Sequence, residues 1–350
     1  MQRINLHIIR SITGNRYVRF IVRRVLVFFP LLIGVSIVTF TLVRLLPGDA
    51  ARTLAGNNPY PGVVEGIREH LGLNKPLYTQ YFIYIMNILH GDLGNSWFTG
   101  NPVAKDVALR APATLELITY GMIMSIITGL FLGIMGAVRP NGVIDRVAQF
   151  YGLLAGALPD FWLALVVILI LFYYLHIIPA PLGRLPYSIN SPLQITGFLT
   201  IDSLLSGNFI AFKAALAQLA GPVLTLTLIF AGAITKMTRS TMLDALHGTI
   251  THYARACGLP EKVVIRYAIR SMLPPVMTLI GYLYAFMIGG VVLVENVFSW
   301  NGLGQYVVKA IVNKDYSPVQ AFVLIAGLFS LLVYLAVDIL YMIVDPRVRL

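Results

Sequence analysis

KMTRSTMLDALHGTITHYARACGLPEKVVIRYAIRSM, residues 236–272, is a 37-residue charged interruption between two long uncharged runs. Ionised side chains are costly in hydrocarbon, so this stretch belongs outside a bilayer. Helix signals bracket it. A first helix is expected from about Thr241 to Cys257, ended by Gly258, which takes the left-handed position at little steric cost. Pro260 suits the first turn of a second helix, with Glu261 beside its positive end. Lys262, Arg266 and Arg270 then form a basic stripe at i, i+4 and i+8, and Val264, Tyr267 and Ala268 an apolar face. Pro274-Pro275 is expected to end that helix and begin the next apolar run. These residues fit two readings equally: a helical knob that seats in a partner's groove, or an interfacial helix pair whose stripe meets anionic headgroups. On the first reading, small residues at Ala254, Ala256 and Gly258 let the partner's backbone approach.

Working outward, 57% of the 350 residues are hydrophobic and 12% charged, against about 25% charged in soluble domains. The chain therefore reads as an all-α membrane protein with six transmembrane helices, at 25–45, 114–138, 147–175, 214–235, 272–295 and 317–343. The first follows six arginines and has a 19-residue apolar core, longer than a signal-peptide h-region of about 7–15 residues, so it is expected to be retained. The third must tilt or break near Pro159. A net charge of +11 is compatible with nucleic acid, but the basic residues flank apolar runs. With the amino terminus inside, the inner segments (1–24, the turn after span two, 236–271 and 344–350) hold 16 of 26 Lys and Arg and four of 15 acids. That asymmetry puts both termini in the cytoplasm. Residues 46–113 then form an extracytoplasmic region, with turns at Pro47-Gly48-Asp49 and Gly56–Pro59 and a short surface helix near 62–71.

Several stretches, in order along the chain, carry a resemblance. Tyr253–Leu259 with Ile269–Pro274 resembles the "EAA" loop of ATP-binding-cassette (ABC) importer permeases. Gly34-Val35-Ser36, Arg44–Asp49, Leu71–Pro76, Gly91–Ser96, Pro112–Leu117, Leu158–Trp162, Glu295–Gly304 and Asp345–Arg349 resemble the first-type permease of dipeptide, oligopeptide and nickel importers. The chain departs at His252, where the pattern is acidic, at Tyr253, where it is small, and at Cys257 and Asn301, usually lysine and proline. The resemblance implies the ABC type I importer permease fold, with a permease domain at 114–343 and a coupling loop at 236–271. It implies a passive half-channel that binds no cofactor. ATP would be hydrolysed by two partner ATPase subunits, beside a second permease subunit, an extracytoplasmic solute-binding protein and membrane lipid. No nucleic acid is expected. Coupling falls to Ala254, Arg255, Ala256, Gly258, Leu259, Lys262 and Arg266.

The residues also bound what the chain lacks. It has no G-x-x-x-x-G-K-[ST], H-E-x-x-H or G-x-S-x-G sequence, so neither catalysis nor metal binding is expected. An ion-coupled secondary transporter is the alternative, but only Asp160 and Asp338 lie inside spans away from their outer ends and no repeat is visible. Asp160, Trp162, Glu295 and Asn296 are candidates for lining or gating a passage. Asp160 is better placed to serve the break beside Pro159 than to line the passage, and Asp338 to snorkel or to pair with a cytoplasmic arginine. Gly129/Gly133, Gly152/Gly156 and Gly281/Ala285/Gly289 allow close helix approach, the last a candidate subunit interface. Trp97, Trp162 and Trp300 suit interfacial belts.

Overall fold

The computed structural model describes residues 16–45, 62–70, 72 and 74–344. The turn sequences at 47–49 and 56–59, and the motif residues Leu71, Leu73 and Asp345–Arg349, lie outside them. The described chain is helical, as a backbone in hydrocarbon must be to satisfy its own N–H and C=O groups. It divides into two units, Met1–Lys105 with Ala310–Leu350, and Asp106–Lys309.

In the first unit, α1 (Arg16–Leu45) is followed by two short helices, α2 (Val63–His70) and α3 (Leu77–Leu89). The last helix of the chain, here α12 (Tyr316–Val344), packs on α1. Val35 meets Gly327, and Arg24 Nε lies 3.0 Å from Asp338 Oδ2, so contacts on α1 advance as those on α12 recede. The two helices are antiparallel, and the intramembrane acid Asp338 has its arginine. Ser96 Oγ donates to Asp315 Oδ2 at 2.6 Å, fixing the turn before residue 103 to the start of α12.

The second unit is built around one long helix. Its elements are α4 (Val103–Val138), α5 (Val143–Leu154), α6 (Asp160–Val167, continued by a π-helical turn, Ile168–Tyr174), α7 (Leu199–Leu205), α8 (Phe209–Leu246), α9 (Thr249–Ala256), α10 (Glu261–Val297) and α11 (Leu303–Val312). Only the first three residues of α4 and the last three of α11 belong to the other unit. Helix α8 touches α5, α6, α7, α9 and α10. Gly121, Gly129 and Gly133 of α4 face Leu226, Ile234 and Thr238 of α8. The contacts advance by equal steps on both, so α4 and α8 run parallel at close approach. Parallel neighbours need an odd number of crossings between them. The α5–α6 pair supplies that crossing, with residues 155–159 leaving the helix between its halves. Among the described residues, five helices are long and apolar enough to cross a membrane alone, and α6 with its π turn is a shorter apolar helix.

Three expectations change. The helix expected from Thr241 to Cys257 is two pieces, because α8 runs on to Leu246 and α9 begins at Thr249. The reason is Gly248, whose extended backbone (φ −75, ψ 165) caps α9. Pro274-Pro275 do not end a helix: α10 is continuous from Glu261 to Val297. Neighbouring helices hold such prolines in place, as membrane helices commonly tolerate. Gly281 and Ala285 are buried within the chain, so of that set only Gly289 is exposed.

The end of this unit that carries the 236–272 loop is held by apolar and ionic contacts together. Ala137, Met242, Leu246, Ala268, Met272 and Val276 make one buried cluster. Outside hydrocarbon, burying a Met or Leu contributes about 1.5–3 kcal/mol. Beside it, fully buried Asp145 is engaged by the guanidinium of Arg239, with Nη2 at 3.1 Å and a closer bond from Nε. Asp145 also accepts from Asn141 N and Gln149 Nε2. The hydrogen bond from Arg239, with those of Asn141 and Gln149, holds the Asp145 carboxyl below the usual carboxylate range despite burial. Its stabilisation is therefore complete at neutral pH and is lost only as pH falls through that lowered value. Removing one member of a buried pair costs on the order of 3–5 kcal/mol. Asp145→Ala is expected to lower the thermal midpoint of the purified protein sharply, and Asp145→Ala with Arg239→Leu to lower it by less than the sum of the two single changes. Additive losses would mean the pair is not coupled.

Candidate functional site

The elbow between α8 and α10 is a rigid double turn. Thr251 Oγ1 lies 2.8 Å from the carbonyl oxygens of Ala245 and Gly248 and 3.1 Å from that of Leu246. Arg255 Nη1 donates to Leu246 O at 3.0 Å, and its Nη2 to Glu261 Oε1 at 2.8 Å. Of the last carbonyls of α8, Leu246 O is thus taken up by Arg255, Leu243 O and Ala245 O accept from His247 N and Gly248 N, and the single Thr251 hydroxyl proton is shared among the carbonyls around it. Helix α9 then ends in a Schellman pair: Gly258 N donates to Arg255 O (2.9 Å) and Leu259 N to Ala254 O (3.1 Å). Gly258 has φ +74, the value this motif requires.

The side chains divide by face. Thr251 and Ala254 point into the fold with Val264 and Ala268. Ala254 therefore serves packing within the chain and offers no surface to a partner. Arg255 is tied across the turn. Ile250, Tyr253, Ala256, Cys257, Gly258 and Leu259 are exposed, with Tyr253 at 72%. Lys262, Arg266 and Arg270 are exposed along α10. The result is an apolar tip beside a basic stripe.

The other expected site residues are dispersed. Asp160 starts α6, and the space a side chain at Gly290 would fill lies 3.7 Å from its Oδ2. Trp162 and Asn296 are exposed. Glu295, in contrast, is fully buried and engaged. It accepts from Thr114 Oγ1 (2.5 Å) and Gln305 N (3.0 Å), while Thr114 Oγ1 accepts from Leu303 N (2.8 Å). A second buried acid, Glu116, accepts from Arg184 Nη2 (2.6 Å) and from Thr200 N and Oγ1. Trp300 Nε1 donates to Ala113 O at 3.0 Å and the ring is buried, so Trp300 belongs to this cap and not to an interfacial belt. The stretches Pro112–Leu117 and Glu295–Gly304 are thereby one structural unit. Thr114, Glu116 and Arg184 were not picked out by sequence reasoning. Intramembrane placement of Glu116 next to Thr114 is the local signal for them, but nothing local points to Arg184.

Comparison with known proteins agrees with this geometry. Residues 129–350 match the family described as "Binding-protein-dependent transport system inner membrane component", and residues 17–118 match the N-terminal component of such systems. The chain belongs to this family of ABC importer permeases. It is 39% identical over 316 residues (90% of this chain, 93% of the relative) to the "Probable D,D-dipeptide transport system permease protein DdpB" of Escherichia coli strain K12. It is 35% identical to the dipeptide transport system permease protein DppB of Alkalihalophilus pseudofirmus, covering 93% of this chain and 98% of that one. It is 33% identical to the glutathione transport system permease protein GsiC of Pectobacterium atrosepticum, covering 94% and 98%. It is a multi-pass membrane permease subunit of a binding-protein-dependent ABC import system.

The cap can be probed at Gly302, where a Cβ would overlap both Glu295 carboxylate oxygens and Thr114 Oγ1. Buried polar groups that lose their partners cost about 1–3 kcal/mol each. Gly302→Ala is expected to lower the thermal midpoint and the yield of monodisperse protein, without preventing membrane insertion. An unchanged midpoint would show that Glu295 is not held as described.

Proposed function

We propose that this chain forms half of the translocation pathway of an importer for di- or oligopeptides, and that α9 is the device through which a separate ATPase moves it. The observation that carries this reading is the tip Ile250, Tyr253, Cys257 and Leu259, exposed on a helix fastened at both ends. Apolar side chains held rigidly in water fit a complementary groove on a soluble partner. Ala256, Gly258, Lys262 and Arg266 border that tip, whereas Ala254 and Arg255 set its angle. Peptide-sized cargo follows from the relatives named above, whose names specify dipeptides and glutathione.

The chain acts without catalysis or a bound cofactor. Two ATP-binding-cassette subunits supply hydrolysis at the cytoplasmic face, a second permease completes the pathway, and an extracytoplasmic solute-binding protein delivers cargo. The protein sits in the bacterial inner membrane with both termini cytoplasmic, the orientation the Lys and Arg distribution favours. Asp160 and Trp162, at the start of α6, and Asn296 are the side chains proposed to face the pathway, with Glu295 holding the cap behind them.

Gly258 provides the test, because its surroundings are open and only its backbone conformation excludes other residues. A β-branched residue there is strained by about 1–2 kcal/mol, whereas Asn visits this region readily. In the reconstituted complex, Gly258→Val is expected to abolish uptake while ATPase activity persists without stimulation by loaded binding protein. Gly258→Asn is expected to retain most uptake. Equal, undiminished uptake in both variants would refute coupling through α9.

A further inference from the structure

Helix α3 is patterned inside out for a water-exposed element. It has 13 residues, LYTQYFIYIMNIL, without one charged side chain. Its inward face is the polar one. Tyr81 OH lies 2.8 Å from Ser36 Oγ, which itself donates to Ile33 O, so the tyrosine is the donor between them. Phe40 packs edge-to-face against Tyr81 and at a tilt against Tyr84, with ring centroids at 5.4 and 5.6 Å. Gln80 is buried and donates to Lys75 O at 2.8 Å. The outward face carries Leu77, Tyr78, Phe82, Met86 and Leu89, with exposures from 39% to 78%. A helix lying in water would be expected to show the reverse arrangement.

The depth of α3 is set by its neighbour. The apolar window of α1 runs from Arg24 to Thr41, 18 residues, or about 27 Å at 1.5 Å per residue, close to the roughly 30 Å of a hydrocarbon core. Ser36, Thr39 and Phe40, the buried side chains of that window, lie near its end away from the arginine cluster of residues 16–24, with the lone Arg44 just beyond it. Ser36 is five residues inside Thr41, so the α3 contact falls within about 8 Å of that end. Around them, Ile33, Ile37 and Val38 of α1 are exposed and apolar. The outward face of α3 thus continues a surface that α1 already presents to lipid. A helix of 13 residues is too short to span, and Lys75 and His90–Asp92 flank its ends with polar groups.

We propose that α3 is embedded in the bilayer leaflet opposite the arginine-rich end of α1, with Phe82 and Met86 in contact with lipid acyl chains. On the orientation adopted above this is the outer leaflet, and the inference rests on that reading only for which leaflet it is. The region after the first span would then be anchored in the membrane at α3 and would not stand free above it.

Collision accessibility of spin labels decides the matter. The full-length chain, in its complex and in lipid nanodiscs, would carry single cysteines at Phe82 or Met86 with Cys257 replaced by serine. Ile33 serves as the lipid control and Tyr187, 91% exposed in the segment between α6 and α7, as the water control. Oxygen should relax the labels at 82 and 86 as it does at 33, with an oxygen-to-nickel-chelate ratio several-fold above that at 187. Nickel access equal to that at 187 would place the face in water, open to a soluble partner. Low access to both reagents would mean that protein covers it. Either result overturns the proposal while leaving the transport reading intact. A water-like label at Ile33 would instead remove the first span, and this inference with it.

Discussion

The last carbonyl groups of α8 accept from Thr251 and Arg255, and the geometry of the elbow depends on that capture. A helix end leaves its final carbonyls without intrahelical donors. If water satisfied them, α9 would be free to pivot on Gly248. Because side chains of α9 bond to them, the short helix is locked to the long one. Arg255 adds a link to Glu261 at the start of α10. That ion pair is exposed and screened by water, so the carbonyl bonds and the buried cluster beneath carry the rigidity.

From α8 the contacts reach the rest of the second unit. Asp145–Arg239 fastens α5 at its first turn. Farther along, Tyr151 OH donates to the carbonyls of Thr227 and Leu228. Helix α5 is thus a strut alongside α8, and it leads through residues 155–159 to Asp160 at the start of α6. At the other end of α10, Glu295 and Glu116 are consumed by fixed donors. The buried hydrogen bonds there stiffen the cap around α11 and the 176–213 segment.

Much of this was legible in sequence because it is local. Apolar run length, the charged interruption at 236–272, the positive φ at Gly258 and the Pro260–Glu261 start all depend on neighbours along the chain. The helix boundaries inside the loop were not legible. Thr241–Leu246 carries no stop signal as strong as Gly258; the extended Gly248 breaks the helix, and the docking of Thr251 and Arg255 holds the break. Pro274-Pro275 misled for the same reason, since tertiary packing overrides a local breaker. Non-local pairs were invisible too. Glu295 read as a candidate gating residue and Trp300 as a belt residue, because their partners Thr114 and Ala113 are some 180 residues away in sequence. The Asp338–arginine pairing was foreseen only as a type, and Arg24 was identified by the fold.

The central claim is that the pathway and the motor reside in different chains. It is tested most directly by uptake into proteoliposomes holding this permease and its permease partner, with saturating peptide-loaded binding protein outside. The account predicts no accumulation against a gradient until the ATPase subunits and ATP are supplied on the lumenal side, and ATP-dependent accumulation once they are. Concentrative uptake by the permease chains alone would contradict it.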